Sequence, residues 1–79
     1  MTIPWQDRHP SVAHFAPLFA YEHLPERLQA ISKPCAALAD DMLRALPDGP
    51  ELTVGLRKLL EAKDAFVRQA VITKEPSDA

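Results

Sequence analysis

The spacing of apolar residues predicts a long helix in the middle of the chain. After Leu24, apolar side chains recur at alternating intervals of three and four residues, which is typical of a helix with one buried edge. These residues are Leu28, Ile31, Cys35, Leu38, Met42, Ala45 and Leu46. Pro25 fits the first turn, where its missing amide is not needed. Pro34 lies inside the pattern, so we expect it to bend the helix or divide it just after Lys33.

A second long helix is predicted from about Pro50 to Ile72. It follows the stretch "LPDGPE", in which Asp48 can cap the new helix and Glu51 can reach back to the cap. Gly49 and the proline after it fix a tight reversal, so the two helices are expected to run antiparallel. The predicted buried face consists of Leu52, Leu56, Leu59, Phe66 and Ala70.

A short helix is predicted before the two long ones. From Pro10 onward, Val12, Phe15 and Phe19 recur at intervals of three and four residues. Pro17 removes a backbone donor in this segment and should kink or split it.

The chain of 79 residues is short enough to form one domain. We expect an irregular arm at 1–9, a helical domain at 10–72 and a disordered tail at 73–79. No strand pattern of useful length is present. The predicted fold class is therefore all-α, with a short N-terminal helix followed by an antiparallel two-helix hairpin.

Self-association is expected from the same pattern. A two-helix hairpin has one layer of side chains between its helices, so apolar residues beside that layer need cover from another copy. These residues are Leu43, Leu60, Val67 and Val71. The sequence therefore predicts a homo-oligomer.

Composition limits the classes of partner. Nine basic and eleven acidic residues leave the chain close to neutrality, which argues against a general DNA binder. Cys35 is the only cysteine, so it has no intramolecular disulfide partner. The start "MTIPWQDRHP" lacks the features of a signal peptide, and no apolar run approaches the roughly 20 residues that cross a bilayer. We expect a cytoplasmic protein that does not bind membranes.

Charged residues form a stripe on the second long helix. Arg57, Glu61, Asp64 and Arg68 follow at intervals of four, three and four residues. The default interpretation is a solvated row of ion pairs, each worth about 0.3 to 0.5 kcal/mol, which leaves both guanidinium groups free for a phosphate. Lys63 falls in the middle of the apolar face. It either reaches the edge, pairs with a carboxylate of a neighbouring chain, or lines a central cavity of an oligomer.

Two residues are candidates for binding an anion that carries an aromatic base. Lys33 has no acidic residue three or four positions away, so its charge is available unless it is a plain surface lysine. Tyr21, just before the first long helix, offers a ring suited to stacking on a base, and it can equally serve as an aromatic cap over the hairpin.

Metal binding and catalysis receive little support. The separation between His14 and His23 crosses Pro17 and matches no familiar ligand spacing. The chain has two glycines and no glycine-rich phosphate loop, and no grouping of serine, histidine and acid stands out. We expect no metal, no cofactor and no enzymatic activity.

Several stretches together resemble a known family. "FAYEHLP", "ISKP", "LPDGPE" and "LRKLLEAKDAFVRQAV" are similar to the small phage proteins of the type-2 anti-CBASS family, which share a helical-hairpin domain. The resemblance covers about residues 10–72. Its most specific part is "PDGPELTVGLRKLLEAKDAFVR", at the turn and second long helix.

The resemblance implies a protein that sequesters the cyclic oligonucleotide signals of CBASS immunity in the cytoplasm of an infected bacterial host. Such a sponge does not cleave its ligand. Family members form hexamers that hold cyclic dinucleotides, such as cGAMP, between pairs of protomers and cyclic trinucleotides where three protomers meet. The expected partners are therefore these nucleotides and further copies of the chain, most simply in a hexamer.

The resemblance also implies positions for the two sites. The aromatic that stacks on a dinucleotide corresponds to Tyr21 and the lysine that meets its phosphates corresponds to Lys33, with His23 as a third candidate there. The trinucleotide site corresponds to Arg68, with Arg57 as the second choice. The alternative is a small helical oligomeric regulator or inhibitor that acts through protein–protein contacts.

Overall fold

The chain is all-helical in a computed structural model that describes residues 5–73. Its elements are α1 (Pro10–Ala13), a 3-10 helix (Ala16–Phe19), α2 (Glu26–Ala45) and α3 (Pro50–Ile72). No strand occurs between residues 5 and 73, so the all-α prediction is confirmed. Residues 1–4 of the predicted arm and 74–79 of the predicted tail lie outside the described residues.

Prolines set several of the helix boundaries. The short N-terminal helix is split as predicted, because α1 ends at Ala13 and a 3-10 helix that contains Pro17 begins at Ala16. The last helix, α3, begins at Pro50. Pro25 lies one residue before α2, at its N-cap. Pro34 behaves differently, because α2 continues through it without interruption and the predicted division does not occur. Within that part of the chain none of the helices is both long and apolar enough to cross a membrane.

The two long helices pack against each other in opposite directions. Arg27, in the first turn of α2, donates a hydrogen bond of 2.7 Å to the carbonyl of Ala70 near the end of α3. At the other end, residues 46–49 connect the helices directly. Thr73 closes α3 by donating to the Gln69 carbonyl at 2.6 Å.

The N-terminal segment supplies much of the core. Val12, Phe15 and Phe19, whose spacing predicted the short helix, are buried. Trp5 stacks on Phe19 with 5.9 Å between ring centres. These rings pack on a patch of α2 and α3 formed by Ala36, Ala39, Leu43, Leu52 and Leu56. A third layer therefore covers one side of the α2–α3 pair.

The predicted buried edge of α2 is wrong. The helix buries Ser32, Ala36, Ala39 and Leu43. Leu38, Met42 and Leu46 are 47%, 38% and 45% exposed, and Ala45 is exposed as well. The remaining predicted members are half-buried, namely Leu28, Ile31 and Cys35. The reason is steric: the rings of the N-terminal segment occupy the space beside α2, and the small side chains of Ala36 and Ala39 leave room for them at native packing density.

Predictions for the other apolar residues are only partly met. Leu52 and Leu56 are buried and Leu59 is half-buried, whereas Phe66 is 58% exposed rather than buried. Leu43 was expected to need cover from another copy but is buried within the chain. Of the three remaining residues of that group, Leu60 and Val67 are half-buried and Val71 is exposed.

Arg8 anchors the start of the described chain to the far end of α2. Its Nη1 donates to the carbonyl of Leu43 at 2.7 Å, and its Nη2 donates to the carbonyl of Leu46 at 2.9 Å. Carbonyls at a helix C-terminus lack intrahelical donors, and a cation is favoured there by the helix dipole. Asp7 adopts a left-handed conformation with φ of 63° in the turn just before the arginine. This contact is absent from the sequence-based prediction of an irregular arm.

Asp48 completes the anchor instead of capping α3. Its Oδ1 accepts from Arg8 Nε at 2.7 Å, and its Oδ2 accepts from the backbone amide of His9 at 3.0 Å. Gly49 occupies the N-cap of α3, and no side chain bonds to the first turn, so the predicted cap by Asp48 and Glu51 is wrong. The bond from the His9 amide, and then that from Arg8, lower the pKa of the Asp48 carboxyl below its ordinary value of 3.8.

Asp48→Asn is expected to lower the melting temperature at neutral pH, because the charged partner of Arg8 is lost. Since folding lowers the pKa of Asp48, its stabilisation is present above the ordinary value of 3.8 and is lost as pH falls through the lower folded-state value. The gap in melting temperature between the two proteins, followed by circular dichroism, should therefore narrow at acidic pH. Asp41→Asn is the control, since Asp41 has only a long exposed contact of 3.7 Å to Arg44. A gap that stays constant as the pH is lowered would contradict the role of the anchor.

Ser32→Ala is expected to stabilise the protein. Ser32 is 1% exposed, and its hydroxyl has no hydrogen-bond partner among the described residues. A buried hydroxyl without a partner costs about 1 to 3 kcal/mol, so removal should raise the free energy of unfolding by about 1 kcal/mol. Urea denaturation measures this difference. A loss of stability of the same size would mean that the hydroxyl is bonded after all.

Candidate functional site

Three predicted site residues lie before α2 and in the first half of that helix. Gln29 Nε2 donates to the carbonyl of Leu24 at 2.9 Å, which ties the turn to α2. Tyr21 and His23 lie in the segment that is tied down, and Lys33 lies one turn beyond Gln29 on the same helix face. The three side chains make no hydrogen bond to one another.

Tyr21 has a packing role of its own. It is half-buried and packs against the hydrophobic core. The interpretation of this residue as an aromatic cap is therefore compatible with the structure, and only the remaining exposed part of the side chain is free to meet a ligand. His23 is exposed in the turn.

Lys33 is an exposed cation on α2. The ion pairs formed between residues 5 and 73 involve Arg8, Arg44 and Lys63, and Lys33 takes part in none of them. Its ammonium is therefore solvated rather than neutralised. An exposed amine of this kind can meet a phosphate as a point charge.

The two candidate arginines of α3 are in different situations. Arg57 lies over the ring of Phe15, with 5.5 Å from its guanidinium carbon to the ring centre, so part of its charge is engaged by a cation–π contact. Arg68 is exposed and forms no ion pair in the described part of the chain. Eleven residues separate the two, which places them about 16 Å apart along the helix. One copy of the chain therefore does not bring both to a single small ligand.

The charge stripe of α3 does not form the expected ion pairs. Asp64 accepts from Lys63 Nζ at 2.9 Å rather than from Arg68, and Glu61 forms no ion pair with Arg57. The Lys63 side chain is 13% exposed. Its charge is thus neutralised within its own helix, and no carboxylate of another chain is needed.

The surface grooves lie elsewhere. One of about 510 Å³ runs between α2 and α3 near their connection, and its wall is mainly apolar. A second of about 530 Å³ is lined by residues around His9 and Thr53, and a third of about 510 Å³ lies between the start of α2 and the end of α3. None of the five predicted site residues lines these three grooves. These three grooves therefore do not supply the walls of a nucleotide site at those residues.

Side chains that could bind a metal do not cluster in the described range. Between residues 5 and 73 no three histidine, cysteine or acidic side chains lie close enough together to hold an ion.

Comparison of the chain with protein-family models, curated proteins and solved structures found no match.

Two features of this surface were missed from the sequence. The Arg8 anchor pairs residues about 40 positions apart, and no local pattern marks such a contact. The apolar groove was missed because its walls were assigned to the interior of the chain. The spacing of Leu38 and Met42 predicted the helix correctly, but their side chains line the open groove rather than the interior.

Proposed function

We propose that this protein binds cyclic oligonucleotide second messengers and sequesters them without cleavage, as a phage counter-defence protein that blocks activation of CBASS effectors. The observation that carries the proposal is that Tyr21 precedes the turn that Gln29 ties to α2, while Lys33 lies one helical turn beyond Gln29 as a solvated cation. An aromatic ring and a solvated ammonium suit a ligand that has both bases and phosphates. The sequence resemblance to the type-2 anti-CBASS family points to the same ligand class.

The dinucleotide site would lie between two copies of the helical hairpin. A cyclic dinucleotide presents two bases and two phosphates related by a twofold axis, and a symmetric pair of protomers offers Tyr21 and Lys33 twice in a matching arrangement. Each stacked base contributes about 1 to 3 kcal/mol, so a pocket built by two small chains can reach nanomolar affinity. His23 is the third residue proposed for this pocket.

The trinucleotide site would be a separate one, built around Arg68 where three protomers meet in a hexamer. A ligand with threefold symmetry suits three copies of one arginine, and a guanidinium group can form two hydrogen bonds with a phosphate. Arg57 is less suited, because its guanidinium already lies over Phe15. A purely sequestering role needs no catalytic group.

Single substitutions should separate the two sites. Lys33→Ala should weaken cyclic dinucleotide binding by about 100-fold or more, since each of two copies loses a charge-assisted contact, and it should leave trinucleotide binding unchanged. Arg68→Ala should weaken cyclic trinucleotide binding and leave dinucleotide binding unchanged. Isothermal titration calorimetry with a panel of cyclic di- and trinucleotides measures both effects.

Lys58→Ala is the matched control for these titrations. Lys58 is an exposed cation of α3 that belongs to neither proposed site, so its removal tests whether any loss of positive charge weakens binding. Equal loss of both ligand classes in Lys33→Ala or in Arg68→Ala would contradict the two-site arrangement. Absence of binding to every nucleotide in the panel by the unchanged protein would overturn the proposed function.

The bound nucleotide should be recovered chemically unchanged. Because no bond of the ligand is broken, heating the complex and analysing the released molecule by liquid chromatography should return the starting cyclic nucleotide in full. Linear or hydrolysed products would instead indicate an enzyme that degrades the signal.

A small regulator or inhibitor that acts by protein–protein contact is the second candidate. The observation in its favour is the apolar groove between α2 and α3, which a protein surface can fill better than a polar nucleotide. In that case Tyr21→Ala and Lys33→Ala would leave function intact as long as the protein stays folded. The binding measurements above distinguish the two candidates.

A further inference from the structure

The turn before α2 ties an acidic side chain to Tyr21. The amide of Leu24 donates to the carbonyl of Tyr21 at 3.0 Å, which closes a tight turn over residues 21–24. Glu22 stands inside that turn and folds back, because its Oε1 accepts from the backbone amide of Tyr21 at 3.3 Å. Gln29 fixes the turn from α2, with its Nε2 donating to the carbonyl of Leu24 at 2.9 Å. The Glu22 carboxylate is therefore held against the residue whose ring is a candidate for base stacking.

This carboxylate is not neutralised within the described part of the chain. The acidic partners of the ion pairs between residues 5 and 73 are Asp41, Asp48 and Asp64, and Glu22 takes part in none of them. Among the same residues its second oxygen, Oε2, receives no hydrogen bond. Glu22 is also exposed, so its oxygens can be reached from solvent. A charged acceptor is thus left open beside Tyr21.

An acid at this position is unfavourable for a phosphate and favourable for the edge of a base. Like charges repel, so the phosphates of a bound nucleotide are directed to Lys33 and away from Glu22. The amide that Glu22 meets and the ring of Tyr21 belong to one residue and are separated only by its Cα and Cβ atoms. The carboxylate therefore lies within reach of the edge of a base that stacks on the ring. It accepts hydrogen bonds and donates none.

The nucleic-acid bases differ in how well they meet a carboxylate. Guanine presents two donors side by side, the N1–H group and the N2 amino group, which match the two carboxylate oxygens in a charge-assisted bidentate pair. Adenine presents one donor, at N6, beside a lone pair at N1 that repels the second oxygen. Cytosine and uracil likewise offer one donor each on this edge. An acceptor-only group next to the stacking ring is therefore selective for guanine.

We propose that Glu22 selects guanine in the dinucleotide pocket, where its carboxylate accepts hydrogen bonds from N1–H and the N2 amino group of a base stacked on Tyr21. This inference rests on the proposed function, because it requires a cyclic dinucleotide bound at Tyr21 and Lys33. With two protomers around one ligand, each of the two bases meets one Glu22. The ligand class is thereby narrowed to cyclic dinucleotides that contain guanine, and cyclic di-GMP, which has two guanines, matches best.

Calorimetry with a series of ligands measures this preference. The unchanged protein should bind cyclic di-GMP about tenfold more tightly than cGAMP, which has one guanine, and about 100-fold more tightly than cyclic di-AMP, since each bidentate pair gives about tenfold discrimination. Cyclic di-IMP keeps N1–H but lacks the N2 amino group. It should bind more weakly than cyclic di-GMP, because one of the two hydrogen bonds at each base is lost.

Glu22→Gln is the variant that tests the contact. A glutamine side chain offers one acceptor and one donor group, which suit N6 and N1 of adenine and no longer suit the two donors of guanine. Affinity for cyclic di-GMP should fall by at least about tenfold, and affinity for cyclic di-AMP should rise. Glu22→Ala should lose the preference for guanine without that gain, and it should bind cyclic di-GMP and cyclic di-IMP equally.

Glu26→Gln is the matched control. Glu26 is also an exposed acid, in the first turn of α2, and its substitution removes the same charge four residues further along the chain. Because no contact with a base is assigned to it, the order of the ligands should stay unaltered. Circular dichroism first establishes that the variants retain their helix content; if Glu22→Gln does not, Glu22→Ala carries the comparison.

The titrations distinguish two kinds of failure. Equal binding of cyclic di-GMP and cyclic di-AMP by the unchanged protein overturns the role of Glu22 and leaves the sequestering function standing. An equal change in Glu22→Gln and Glu26→Gln has the same consequence, because it would reflect net charge rather than a contact. Absence of binding to every cyclic dinucleotide of the series would instead remove the proposed function itself.

Discussion

The contact between Arg8 and the end of α2 holds the N-terminal segment against the two long helices. Two helices joined by a short connection bury only the layer between them, so they need a third element to form a core. The guanidinium group bonds to two carbonyls that the helix leaves without donors, and Asp48 holds it from the connection. This contact brings the N-terminal segment back across the pair, where Phe15 and Phe19 complete the core.

The covering segment also decides which side of α2 is the interior. Large aromatic rings on one side require small residues opposite them, and Ala36 and Ala39 meet that requirement. The larger side chains, Leu38 and Met42, are then left facing outward. A helix that is apolar on two sides is suited to a chain that folds on itself and also packs against a neighbour, which links the internal packing to the proposed assembly.

The proposed function uses side chains that the fold leaves free. Lys33 and Arg68 are exposed cations outside the ion pairs described, so they are available to an anion. Tyr21 has a part in the core as well, and Arg57 lies over Phe15. None of these residues lines the three grooves described, which is compatible with nucleotide sites at junctions between copies.

The sequence by itself determined the helices, and the tertiary structure decided their faces. The two long helices follow from local chemistry, namely apolar periodicity and the proline at the start of α3, and were predicted correctly, whereas the predicted division at Pro34 does not occur. The choice between the two apolar sides of α2 was not predictable, because it depends on where the rings of a distant segment come to lie. Asp48 binds Arg8 instead of capping α3, and this outcome also depends on a contact between residues far apart in the sequence. Among the candidate site residues, the sequence supplied their charges and rings, and only the packed chain decided that Arg57 is engaged while Lys33 is free.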